Sequence, residues 1–462
     1  MVAADFTHTS ARRRFALASA LAQLKGWLRG EHAMIKRDAG AAFAIRVASA
    51  AAVYLTQVVL ARWMGRYQFG IYVYAWTWVL LLGDTIHLGL PLAAQRFVPE
   101  YTTSGRLDYL RGFVRGTRRI AFGSAVAVGA IGAILIKTFE AKLDPNEIQP
   151  LYLACIAVPF FTLSIMLDGV ARCYNWINLA LAPHFFWRPI AILLLMAAAY
   201  WAGVPADATT AMMAVIVAAA SMAFVQLVMV DRRVARIVPP GPRRYDMKLW
   251  LGTSAPIILV VGFYTLLTYT DVLVLKFFRA PEEVALYYAA ARTLLLVAFV
   301  YFSVSAVIAH RFTSYHLAGD REGLAALVQS AVRWTFWPSL AATIAILALG
   351  EPLLWLFGPG FTAGYPLMFI LAVGPLARAS VGPAERLLNM LGEQRACALV
   401  YAGAFTVNLV GCVALAPRYG VTGAAIATSA AMVFESAALF LVTKRRLGLH
   451  IFIFGQSARG RR

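Results

Sequence analysis

Four arginines, Arg46, Arg188, Arg292 and Arg378, stand inside long apolar runs, together with Asp84, His87, Asp271 and Glu435. A charged group at bilayer depth costs about 2.5–3.5 kcal/mol on insertion scales, so each must face a wet cavity or a partner. Arg presents a planar fork of donors that matches phosphate and stays charged at any physiological pH. Several arginines around one cavity suit a pyrophosphate-linked lipid head better than a cationic compound, and Arg46 is the leading candidate. The competing reading of each is a pair with Asp84, Asp271 or Glu435, or snorkelling to an interface. Asp84 and His87, three residues apart on one helix face, form either a proton relay or an ion pair with a neighbouring Arg. Asp271 either binds a coupling ion or balances an Arg. Asp168 and Arg172 are one helical turn apart. Trp76, Trp78, Tyr264, Tyr269 and Tyr288 can stack on sugar faces, although interfacial anchoring is the plainer role.

Other chemistry finds little support. The sequence has no phosphate-binding P-loop, no H-E-x-x-H and no G-x-S-x-G pattern. Its four cysteines, Cys155, Cys173, Cys397 and Cys412, form no C-x-x-C pair and lack His at ligand spacing, so no metal or cofactor is expected. A sugar-transferring enzyme would need acidic ligands in sizeable outer loops, where only Glu140, Asp144 and Glu147 cluster.

The elements that must carry these residues follow from composition. The chain has 462 residues, 61% apolar and only 14% charged, against about 45–50% and about 25% for soluble domains. Its mean hydropathy is +0.70. Such a chain buries its surface only with lipid as solvent, and disorder is excluded by the same figures. Twelve apolar runs reach the roughly 20 residues of a crossing helix, at 39–62, 70–95, 120–137, 150–170, 181–204, 208–230, 249–277, 284–309, 332–350, 364–387, 397–415 and 421–443. The net charge of +20 belongs to the short segments between them, where it meets anionic headgroups rather than nucleic acid. With the N-terminus inside, 31 of the 42 Lys and Arg fall on the inner side and 7 on the outer, which predicts both termini to be cytoplasmic. Residues 1–38 form a basic segment, in which Phe15, Leu17, Leu21, Leu24 and Leu28 would line a helix on the inner leaflet.

The chain resembles itself at an offset of about 214 residues. Thr56-Gln57-Val58 stands against Thr270-Asp271-Val272, and, one residue of slippage later, Gly70-Ile71-Tyr72 stands against Ala285-Leu286-Tyr287. Six spans per repeat give parallel halves related by an axis along the membrane normal. The predicted organisation is a six-helix lobe at 39–238, a Pro-rich cytoplasmic linker at 239–248, a second lobe at 249–443 and a basic tail at 444–462. Pro91, Pro159, Pro189, Pro256, Pro375 and Pro383 supply hinges or plain kinks.

Arg62-Trp63-Met64-Gly65-Arg66-Tyr67-Gln68-Phe69-Gly70-Ile71-Tyr72, followed by Leu88-Gly89-Leu90 and Gln95-Arg96-Phe97-Val98-Pro99-Glu100-Tyr101, resembles the second-helix entry and exit of polysaccharide-export flippases. The superfamily implied is the multidrug/oligosaccharidyl-lipid/polysaccharide exporter group. The resemblance implies two six-helix lobes around a V-shaped cavity and movement of drugs or lipid-linked sugars. The drug-exporting branch often carries an acidic cation site in its N-terminal lobe, whereas this first helix carries Arg46. The expectation is therefore an inner-membrane flippase, not an enzyme, for a lipid-linked oligosaccharide feeding polysaccharide or lipopolysaccharide assembly. Arg46, Arg188, Arg292 and Arg378 would hold substrate, and Asp84, His87 and Asp271 would couple an ion (proton or sodium) or balance charge. It would work by alternating access as a monomer among membrane lipids. The alternatives are a multidrug/cation antiporter and a membrane glycosyltransferase or polymerase.

Overall fold

The computed structural model describes residues 51–301, 304, 305, 308, 312, 315 and 319–454. Arg46, the surface helix expected within residues 1–38, the start of the first span and the end of the basic tail lie outside the described residues. What is described is helical, with ten helices long and apolar enough to cross a membrane. They expose large apolar side chains such as Leu194, Phe224, Phe277, Trp334 and Leu399 on their outward faces. Water would penalise that surface, and hydrocarbon does not.

In chain order we number the helices α1 (51–86), α2 (Leu90–Thr103), α3 (Leu107–Phe139), α4 (Pro145–Cys173), α5 (Ile177–Ala182), α6 (Arg188–Trp201), α7 (Ala208–Ile237), α8 (Met247–Phe278) and α9 (Pro281–Leu294). They continue with α10 (Arg321–Ala348), α11 (Gly350–Phe357), α12 (Tyr365–Ser380), α13 (Ala384–Met390) and α14 (Gln394–Leu447). Several acids of this acid-poor chain are spent on starting helices. Asp144, Asp207, Asp246 and Asp320 cap α4, α7, α8 and α10, each accepting a backbone N–H of the first turn. At Asp144 the Tyr67 hydroxyl also donates, at 2.6 Å. That bond, followed by the Asn146 amide, holds the carboxyl below the usual carboxylate range.

The longest helix, α14, has 54 residues, more than twice what a crossing needs. It doubles back at Gly420, whose φ of 59° and ψ of −135° are open only to glycine. Beyond the turn, Thr428 reaches Asn408 at 3.4 Å. Gly420 is also closely approached by Glu283 and Arg279. Gly420→Ala is expected to cost about 1–3 kcal/mol, seen as a lower thermal unfolding midpoint in detergent. In α1, Gly65 has a φ of 72° and interrupts the helix between Gln57 and Tyr72, which lie side by side.

Three buried clusters organise the bundle. One joins residues from both parts of the chain, including Phe69, Tyr72, Tyr288, Phe357 and Phe361. A second, around Phe97, Phe113 and Val170, is built from residues 90–238 and closed by Trp250. The third, around Phe312, Leu388 and Tyr401, is built from residues 267–453. The linker is fastened to α3 by Arg111, which donates to the carbonyls of Pro239 (2.8 Å) and Pro242 (3.0 Å).

Candidate functional site

Arg188 owes its position to an irregularity. Pro183 and Pro189 each lack an amide hydrogen, and the five residues Pro183–Trp187 form a π turn in which the Arg188 amide donates to the Pro183 carbonyl. A π turn inserts one residue into the helical register and turns the following side chains to a new face. Here it points Arg188 inward, over the rings of Trp76 (5.3 Å) and Phe161 (4.6 Å). Its Nη1 lies 3.2 Å from His184 Nδ1. The Pro189 carbonyl is taken by the Thr56 hydroxyl of α1 at 3.3 Å.

Arg292 reaches the same region from α9, its guanidinium 4.7 Å from the Tyr288 ring. Tyr72 stands within electrostatic range of both Arg188 and Arg292. Asp84 interacts with Arg188, and Tyr269 with both Asp84 and Arg292. One cluster therefore gathers two guanidinium groups, one carboxylate and three tyrosines from both halves of the chain. Neither Arg188 nor Arg292 makes an ion pair within 4 Å among the described residues. The buried Tyr72 hydroxyl and Gln57 side-chain carbonyl form no well-aligned hydrogen bond and make at most a loose contact with each other. A buried polar atom left unpaired costs about 1–3 kcal/mol, which a phosphate or sugar oxygen or a water would relieve.

The remaining candidates lie in other settings. His87 closes the broken turn between α1 and α2, where its Nδ1 accepts the Gly89 amide at 3.2 Å. Leu88 and Gly89 both have positive φ there. No hydrogen bond joins His87 to Asp84 among the described residues. Asp271 accepts the Tyr287 hydroxyl at 2.6 Å and lies 3.4 Å from the Thr428 hydroxyl, in a network that runs on to Asn408 and Cys412. Arg378 pairs with Glu385 (3.0 Å) and Glu435 (3.6 Å) and lies over the Tyr264 and Tyr301 rings. Tyr264 stands five residues before Tyr269 on α8, within electrostatic range of it. Arg172 and Asp168 form a two-pronged pair at 2.9 and 2.8 Å.

Sequence reasoning missed Gln57 and Tyr72, which carry no charge. A signal for them was present in the repeat. Gln57 occupies the position of Asp271 at the 214-residue offset, and Tyr72, one residue of slippage later, that of Tyr287; the later pair is hydrogen-bonded.

A family model described as "Polysaccharide biosynthesis protein" matches residues 35–316. No curated protein sequence matches the chain. Among solved structures, the chain is similar to an inward-facing multidrug resistance MATE family transporter of the MOP superfamily, at 12% identity over 86% of this chain and 94% of that one, with a TM-score of 0.72. It is also similar to the lipid II flippase MurJ in an inward closed conformation, at 16% identity over 87% of each chain and a TM-score of 0.69. A MOP superfamily transporter from Pyrococcus furiosus, reported with a binding pocket of reversed polarity, aligns at 13% identity over 88% and 94% with a TM-score of 0.60.

Proposed function

Because the chain belongs to the polysaccharide biosynthesis protein family, we propose that it is a flippase that carries a lipid-linked oligosaccharide across the inner membrane. The observation that supports this most is that Arg188 and Arg292, from opposite halves of the chain, both come within electrostatic range of the buried Tyr72 hydroxyl without a carboxylate within 4 Å among the described residues. Two guanidinium forks converging on one point suit a pyrophosphate, and the surrounding tyrosines suit the sugars next to it. Asp84 balances part of the positive charge while the site is empty. Asp271, buried in its hydroxyl network, is the candidate for ion coupling, and Arg378 with its two carboxylates borders the site.

Dividing the two longest helical stretches at Gly65 and Gly420 would turn the ten candidate spans into twelve, the number expected from the sequence. With the basic loops in the cytoplasm, the end at which the halves share one core, around Phe69 and Phe361, faces outward. The head would then enter from the cytoplasmic end, between the separate clusters of the two halves, while its polyprenyl tail stays in lipid. Opening of the shared core would release the sugar outside. The reaction is transport as a monomer, with no bond made or broken.

The test is translocation of a polyprenyl-pyrophosphate oligosaccharide in proteoliposomes, read by access of an added sugar-binding protein to the far leaflet. Wild type should move it, and Arg292→Gln should move it at least about tenfold more slowly, the effect of losing ~1.4 kcal/mol. No movement by wild type overturns the reading. Drug-driven proton or sodium exchange in the same vesicles would instead favour a cation antiporter.

A further inference from the structure

Beside the π turn that positions Arg188 lies a groove that the transport site does not use. It has a volume of about 400 Å³ and runs between α5, the π turn and α7. Leu179, Ala182, Pro183, Met222, Val225 and Met229 supply its apolar walls. Clefts that hold small molecules span about 300–1,000 Å³, so the groove lies within the range of true binding sites. Its polar floor is already satisfied. Gln226 accepts the Ser164 hydroxyl at 2.7 Å and donates to the Leu179 carbonyl at 3.1 Å. Few groups remain there to hold water, and the wall opens sideways where Trp187 is 51% exposed.

The mouth of the groove is charged. Arg233 lines it at the arginine-rich end of α7, placed by the Trp176 ring 5.4 Å away. It makes no ion pair among the described residues, because its neighbour Asp231 is taken by Arg118 at 2.6 Å. Arg232 and Arg236 stand exposed beside it. An apolar slot open to lipid with a free cation at its interfacial end is complementary to one kind of molecule, a lipid with an anionic head.

We propose that this groove binds an acyl chain of an anionic phospholipid, whose phosphate is held by Arg233. The groove is separate from the transported substrate's site, because Trp187 lines the groove while Arg188, about 100° further round the helix, lies over Trp76 and Phe161. Its occupant would brace the π turn and thereby steady the arginine that faces the cluster.

The experiment is native mass spectrometry of the full chain in detergent, titrated with phosphatidylglycerol or phosphatidylcholine of identical acyl chains. Wild type should retain phosphatidylglycerol preferentially. Arg233→Gln should weaken that binding about fivefold, which corresponds to the ~1 kcal/mol of one interfacial basic residue. Val225→Trp, at an exposed wall position, should weaken it at least about tenfold by displacing two or more methylenes at ~0.8 kcal/mol each. Equal binding of the two lipids, or no effect of Arg233→Gln, overturns the proposal. Loss in Arg233→Gln with full binding in Val225→Trp also overturns it, because attraction would then be to the surface alone. Ser221→Phe, on the same rim, gives the same reading should Val225→Trp not fold.

Discussion

Replacing Arg188 with Gln should lower translocation of a polyprenyl-pyrophosphate oligosaccharide by at least about thirtyfold. A hydrogen bond to a charged group contributes about 1.5–3 kcal/mol, so losing the grip on phosphate at about 2 kcal/mol is already a factor of about thirty. The Gln side chain cannot form the planar cation that lies over Trp76 and Phe161, and it leaves Asp84 uncompensated. Arg188→Lys keeps the charge but loses the two-pronged donor geometry, so it should recover only part of the rate. The decisive comparison is the double variant Asp84→Asn with Arg188→Gln. If Arg188 serves only to neutralise Asp84, removing both charges restores transport. If it grips substrate phosphate, the double variant stays as slow as Arg188→Gln alone. Unfolding midpoints measured alongside distinguish loss of grip from loss of fold.

The different fates of the four arginines show what the sequence could convey. An arginine in an apolar run is conspicuous because its cost in lipid demands an explanation, and that argument holds without coordinates. What the run does not reveal is the partner. Arg378 is met by Glu385, which lies seven residues further along in the same run but on the separate helix α13, and by Glu435 from another helix. Arg188 and Arg292 find no carboxylate within 4 Å among the described residues, and nothing in their local sequences distinguishes them from Arg378. The π turn was equally hidden. Pro183 and Pro189 announce a weakness in hydrogen bonding, but not whether it resolves as a kink or as an inserted residue that turns Arg188 inward. The membrane-spanning helices were legible because they depend on summed hydrophobicity. Gln57 and Tyr72 were not, because an uncharged polar residue in a span has too many ordinary uses, such as bonding back to its own helix.

Breaking the ion pair between Lys276 and Glu147 should open the end of the molecule where the halves share a core. Glu147 belongs to α4 and Lys276 to α8, so the 2.6 Å contact crosses between the two halves. Their side chains are only 3% and 15% exposed. Each charge also suits its own helix, the acid in a first turn and the base in a last turn. Glu147→Gln leaves the Lys276 ammonium buried without its partner, a loss of about 3–5 kcal/mol for the closed arrangement. An open arrangement hydrates the ammonium and escapes that cost. The balance therefore moves toward opening, by about 150-fold for a 3 kcal/mol difference. In a variant without Cys155, Cys173, Cys397 and Cys412, a cysteine replacing Phe361 in the shared core reports the change through its labelling by a membrane-impermeant maleimide. Glu147→Gln should speed labelling strongly, and exchanging the two charges should slow it again, although not fully, because both helix ends then carry the unfavourable sign. Gly70→Ala should act in the same direction, since a Cβ there has no room beside the Pro281 carbonyl while this end is closed. Unchanged labelling in Glu147→Gln would mean that the aromatic packing of Phe69, Phe357 and Phe361 holds the end shut without help from the ion pair.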